Sequence, residues 1–191
     1  VNGPIRKVPA DHKKEYYAIK ITGLRGGHSG EDIHRGRANA NKLLIRVLRA
    51  LEENVRFDLS DITGGLKYNA IPRNAEAVIG IEKEDKAAVD AVIERFSGIF
   101  ADEYRVNDPG ITLEAVPQET ADHILDEASS RRVLDYIDFT ETGIIRRDQD
   151  YPQFVESSVR LGTISIKNDS AEIWIMTRSS KESPPRAMFQ S

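Results

Sequence analysis

The sequence predicts an α+β fold: a two-layer sandwich built from a ferredoxin-like βαββαβ unit, followed by a second, incomplete βαββ copy that shares the sheet architecture. Two observations carry this expectation. Apolar residues switch between a period of two and steps of three and four in the order strand, helix, strand, strand, helix, strand. After residue 117 the same order begins again and stops where its last helix would come. No sequence identity links the two stretches, so the duplication is read from the order of elements alone.

The first strand is signalled from Tyr17, where Tyr17, Ile19 and Ile21 alternate with Ala18, Lys20 and Thr22. A glycine cluster follows. From Ile33 onward Ala40, Leu43, Leu44, Val47, Leu48 and Leu51 recur at helical steps with Arg46, Arg49 and Glu52 between them, predicting an amphipathic helix of about five turns. Strands are predicted over Val55 to Thr63 and Ala75 to Glu82, separated by the turn-rich run Gly64 to Pro72. A second helix from about Asp85 places Val89, Val92, Ile93, Phe96 and Phe100 on one stripe, and Asn107-Asp108-Pro109-Gly110 turns the chain into a strand over Ile111 to Val116. Beyond it come a helix over Glu127 to Asp138, a connecting loop over Thr140 to Gln153, a strand over Val155 to Lys167, a turn at Asn168-Asp169 and a strand over Ala171 to Arg178. The expected division is 1–15 as a linker, 16–117 and 118–183 as two halves, and 184–191 as a truncated helix or tail.

Composition excludes several classes of function. The 191 residues carry 27 Lys and Arg against 31 Asp and Glu, a formal charge of −4 spread along the chain, which lacks the basic footprint of a nucleic-acid binder. No apolar run approaches the ~20 residues of a membrane span, and Val1 to Asp11 hold no signal-peptide core, so a cytoplasmic protein without a membrane partner is expected. With no cysteine, neither a disulfide nor a thiolate metal site can form. The chain opens at Val1 without an initiator Met and closes on Pro184-Pro185, and both ends read as the boundaries of a fragment.

The run Gly26-Gly27-His28-Ser29-Gly30 holds one imidazole at an exposed corner between a strand and a helix, with Gly26, Gly27 and Gly30 freeing the backbone for close approach. Spacing alone leaves His28 equally suited to donate to a developing oxyanion or to bond a carboxylate within a tight turn. The corner is not a phosphate loop: no Gly-Lys-Ser/Thr or Gly-x-Gly-x-x-Gly is present, and Glu31 and Asp32 would repel phosphate. His12, His34 and His123 are scattered, with no His-x-Asp or His-x-x-x-His, so the chain is expected to bind no metal. Asn69, in a turn between strands, either faces a ligand or bonds its own backbone. Arg160 and Arg178 lie within or at the end of strands, where a guanidinium either clamps a carboxylate or is solvated.

Taken together, Gly23 to His34, Gly36 to Leu44, Tyr68 to Ala75, Val155 to Gly162 and Met176 to Ser179 resemble the Xaa-His dipeptidases, also called aminoacyl-histidine or cytosol non-specific dipeptidases, over nearly the whole chain and in the right order. In that family a catalytic domain, formed by segments on either side, holds two zinc ions and a Glu general base. None of its motifs is present in this sequence. The resemblance therefore implies the inserted lid, which closes over a dipeptide and completes the site, while the zinc-activated water belongs to the catalytic domain of the same parent chain. On this resemblance His28 matches the lid histidine that polarises the scissile carbonyl, Asn69 a lid asparagine near the substrate, and Arg178 an arginine that holds the substrate carboxylate. Arg160 stands where family members commonly carry Asn, which alters any substrate contact there. His28 and Asn69 lie in one stretch and Arg178 in the other, as if a dimer had been fused into one chain. The fragment alone is expected to be inactive; a homodimer can coexist with this reading. The alternative is a free-standing ferredoxin-like module for small-molecule binding or dimerisation.

Overall fold

The computed structural model describes residues 1–28 and 32–180. Ser29, Gly30, Glu31 and residues 181–191 lie outside it, so the expected role of Gly30 and the expected tail at 184–191 fall on residues that are not described. The fold is mixed α/β, with three helices on a mainly antiparallel sheet.

In chain order the elements are β1 (Asn2–Pro4), β2 (Lys7–Pro9), β3 (Glu15–Thr22), β4 (Gly27–His28), α1 (Ala40–Glu52), β5 (Phe57–Gly64), β6 (Ala70–Ile71) and β7 (Ala75–Ile81). They continue with α2 (Lys86–Glu103), β8 (Thr112–Gln118), β9 (His123–Leu125), α3 (Glu127–Phe139), β10 (Gly143–Arg147), β11 (Val155–Lys167) and β12 (Ser170–Ser179). The main sheet runs β1-β12-β11-β5-β7-β3-β8, with β10 added alongside β11, and β2-β9 and β4-β6 form two separate ladders. Within residues 1–15, β1 pairs with β12 and β2 with β9.

Period-two alternation decides which side of the sheet is buried. Tyr17, Ile19 and Ile21 on β3 face Ile79, Ala77 and Ala75 on β7 in register, and all six join one apolar core with Leu43, Leu44 and Leu48 of α1 and Phe100 of α2. Leu134 and Ile137 of α3 belong to the same core. Each such side chain removed from water contributes about 2 kcal/mol, so the helices are held chiefly by these stripes. Phe96 and Phe100 meet edge to face with ring centroids 5.5 Å apart, and the Arg46 guanidinium stands 5.1 Å from the Phe100 ring centroid.

Two expectations are corrected. The first helix does not run from Ile33: a 3-10 turn over Ile33–Arg35 ends at Gly36, whose φ of 63° is left-handed, and α1 begins at Ala40. Asn39 sets that start, its side chain accepting from the backbone N–H of Asn41 at 3.0 Å. The stretch Thr140 to Gln153 is not all loop, because Gly143 to Arg147 form β10 and pair antiparallel with β11 from Gly143↔Val159 to Arg147↔Val155. Its two isoleucines followed by two arginines show no alternation, and irregular register along this edge pairing explains why none is needed.

The β5–β11 junction is narrow. Ile164↔Gly64 is its ladder pair, and β11 breaks register against β12 between Leu161 and Ile164. Two amides from α1's first turn fill in: Asn39 Nδ2 donates to the Leu161 carbonyl at 2.8 Å and Asn41 Nδ2 to the Gly162 carbonyl at 2.6 Å. At the far end of α3, the Lys42 ammonium donates to the carbonyls of Ile137, Asp138 and Thr140 at 3.1, 2.6 and 3.1 Å, meeting the negative end of that helix.

Candidate functional site

The glycine corner begins where β3 ends. Gly23 has φ of 81°, and a Cβ placed on it would lie 1.9 Å from the Gly110 carbonyl oxygen, so no other residue fits without moving backbone. Asp108, 1% exposed, accepts from the backbone N–H groups of Arg25 and Ala38, both at 2.7 Å. One buried carboxylate thus ties together both ends of the loop that carries His28.

Inside that loop Gly26 and Gly27 adopt φ of 66° and 146°. They bring β4 beside β6 with Gly27↔Ile71 and His28↔Ala70 in register, which places His28 next to the residue that follows Asn69. The backbone of His28 is gripped by Asp32: the His28 N–H donates to Asp32 Oδ2 at 2.8 Å, and the Asp32 N–H donates back to the His28 carbonyl at 3.1 Å. The donation from the His28 N–H, ahead of the nearby arginine charges, holds the Asp32 carboxyl below the usual carboxylate range. Arg35 and Arg37 lie 3.0 and 3.6 Å from Asp32, and Arg37 also donates to the Gly26 carbonyl. The His28 side chain is left on the surface, while His12, His34 and His123 are exposed elsewhere.

The Asn69 turn rests on β11. A Cβ on Gly162 would lie 3.3 Å from the Tyr68 carbonyl oxygen, and one on Gly65, whose φ is 72°, would lie 2.7 Å from the Gly162 oxygen. Arg160 sits two residues before Gly162 on the same face of the strand. The register Ser158↔Arg178 and Arg160↔Met176 puts Arg178 diagonally across from it on that face. Arg160 is 2% exposed and Arg178 is exposed. Burial, and then the charge of Arg178, push the Arg160 guanidinium down to about 10, against the opposing pull of Asp32. Ile33, next to Asp32 in the corner, lines the same pocket as Arg178.

Of the residues that the sequence singles out, Arg160 lies within β11, Arg178 is on β12 one register step away, Asn69 follows Tyr68 in the turn that packs on Gly162, and His28 is joined to that turn through the β4-β6 ladder. Asp32 and Asp108 are supports that the sequence does not announce. Asp108 is visible there only as part of a turn before proline; nothing in the sequence marks the two distant N–H groups that it accepts from. Among the described residues no three His, Cys, Asp or Glu side chains stand close enough to hold a metal ion, and no helix is long and apolar enough to cross a membrane.

Residues 19–108 match the family model described as a peptidase dimerisation domain, M20_dimer. This segment is therefore similar to the M20 dimerisation domains. The chain is 32% identical over 168 residues to the cytosol non-specific dipeptidase of Escherichia coli (strain K12), covering 86% of this chain and 34% of that protein. The crystal structure of aminoacylhistidine dipeptidase from Vibrio alginolyticus superposes with a TM-score of 0.89 at 25% identity, covering 93% of this chain and 36% of that one. The chain thus spans about a third of the length of the dipeptidases it matches. The matched segment contains His28 and Asn69, whereas Arg160 and Arg178 lie beyond it.

Proposed function

We propose that this chain is the substrate-capping lid of a zinc-dependent dipeptidase that cleaves dipeptides of the Xaa-His type, and that it is inactive without the rest of its parent chain. The observation that carries the reading is the meeting of two distant stretches: the β4-β6 ladder sets His28 beside the Asn69 turn, and that turn rests on Gly162, close to Arg160 and Arg178. The exposed His28 imidazole donates to the scissile carbonyl oxygen as negative charge develops on it, Asn69 contacts the peptide, and Arg178 holds the terminal carboxylate. Gly26 and Gly27, both at positive φ, let the corner approach the substrate.

In this reading the two zinc ions are held by the catalytic domain of the parent chain, where they would activate the attacking water. Residues 16–117 form, in this reading, a ferredoxin-like unit and 118–183 its incomplete second copy, with 1–15 leading from the catalytic domain. The strand order β5-β7-β3-β8 supports the first half of that division. A cytoplasmic location follows the name of the Escherichia coli relative.

In the full-length enzyme, His28→Gln is expected to lower kcat on dipeptides by about 10²-fold or more, the effect of removing one oxyanion donor. Hydrolysis at the wild-type rate would overturn the role of His28. Dimerisation is a second reading, favoured by the family model's description and compatible with the first. Sedimentation velocity would remove it if the protein were monomeric at every concentration.

A further inference from the structure

Two of the exposed large apolar residues, Tyr68 at 59% and Trp174 at 58%, are brought together by one glycine. A Cβ built on Gly162 would lie 3.0 Å from the Trp174 carbonyl oxygen and 3.3 Å from that of Tyr68, so the bare backbone there lets the turn that carries Asn69 close onto the β11–β12 hairpin. The strand register accounts for the place of the indole. Leu161 pairs with Ile175 and Ile164 with Ile173, which leaves Gly162 and Thr163 opposite Trp174 alone. Two residues against one is a bulge, a feature that re-aims side chains beside binding sites.

Trp174, Met176 and Arg178 alternate onto one face of β12, while Ile173 and Ile175 between them turn to the core. At about 3.3 Å per residue, Met176 lies about 7 Å from Arg178 along the strand and Trp174 about 13 Å. Met176 stands directly across from Arg160. The row therefore runs from a guanidinium through a thioether to an indole, with the Asn69 turn along its β11 side at Gly162. In the lid reading the terminal carboxylate of the dipeptide is at Arg178 and its scissile carbonyl at His28, across β11. The C-terminal side chain is then left to lie along the β12 row, where long side chains two positions apart reach one another.

We infer that the Trp174–Met176 row is the subsite for the C-terminal side chain of the dipeptide, and that Trp174 makes it selective for a planar ring such as the imidazole of an Xaa-His substrate. An indole face and a thioether both favour an aromatic ring over an aliphatic chain of similar size. Arg160 and Arg178 at the other end of the row repel a cationic side chain, so the ring is bound neutral. The row is open to solvent because a lid offers one wall, and the domain it closes on supplies the other. The inference rests on the dipeptidase reading above and names the residues that would read the side chain.

The test compares Ala-His with Ala-Leu in the full-length enzyme at about pH 8, where imidazole is neutral. Ala-His should be favoured by about threefold to tenfold in kcat/KM, mainly through KM, the size of one aromatic contact. Trp174→Leu should move that ratio toward one, and Trp174→Phe should keep part of it. Trp174 is mostly exposed, so neither change empties the core. A wild-type ratio near one would overturn the inference without any variant, and so would a ratio unchanged in Trp174→Leu or an equal loss on both substrates. Failure to cleave any dipeptide would instead sink the underlying dipeptidase reading, and the subsite with it.

Discussion

The Asn41 side-chain amide donates to the Gly162 carbonyl at 2.6 Å, joining the first turn of α1 to the irregular stretch of β11 that supports the Asn69 turn. Removing it should leave a buried carbonyl without its donor. Asn41→Ala is expected to cost about 2 kcal/mol in urea denaturation, and Asn41→Asp more, because it sets an acceptor and a buried charge against the same oxygen. An unchanged midpoint in both would show that the contact does not hold β11 in place.

Asp108 makes a similar tie at the glycine corner. Asp108→Ala would strand two backbone N–H groups in a site from which water is largely excluded, with an expected loss of about 2–4 kcal/mol. Amide hydrogen exchange should report it locally, with the Arg25 and Ala38 protons losing protection. If those two amides exchanged as in the wild type, the tie would not be what holds the loop.

Asp32 grips the His28 backbone, and in the proposed lid reading that makes it a positioning residue. In the full-length enzyme, Asp32→Asn should lower kcat about tenfold with a smaller change in KM, and Asp32→Glu should recover part of the loss. An effect confined to KM, or to thermal stability alone, would assign Asp32 to binding or folding instead.

Burial, and then the hydrogen bond from Tyr17 to Glu15, push the Tyr17 hydroxyl up to about 12. The folded value lies above the unfolded one of about 10, so the contribution of protonated Tyr17 is complete below pH ~10 and fades as pH rises through ~12. The urea midpoint should therefore fall over that window, and Tyr17→Phe should make the fall shallower. Equal slopes in the two proteins would show that Tyr17 ionises as freely folded as unfolded.

Much of the fold is legible in the sequence because long elements repeat their period: α2 shows five stripe residues and β3 three clean alternations. The His28 corner is legible because glycines clustered around one histidine mark a tight bend without the help of any period. Short or edge elements are not. The β4-β6 ladder has two residues a side, too few for any period, and β10 sits at an edge where Arg146 and Arg147 reach solvent. The helix start is misplaced by the apolar steps because they say where α1 buries its stripe, whereas Gly36 and the Asn39 cap say where it begins. The supports from Asp108, Asn39 and Asn41 join residues about seventy to more than a hundred and twenty positions apart, and no local pattern encodes such a pairing.

The narrow β5–β11 junction also gives the molecule a mechanical grain. Long ladders such as β11–β12 and β3–β7 share a load among many bonds, but between β5 and β11 it would fall on the Ile164↔Gly64 pair and the amides of Asn39 and Asn41. Pulled across the sheet, the protein should tear there first, leaving each sheet fragment intact before either unravels.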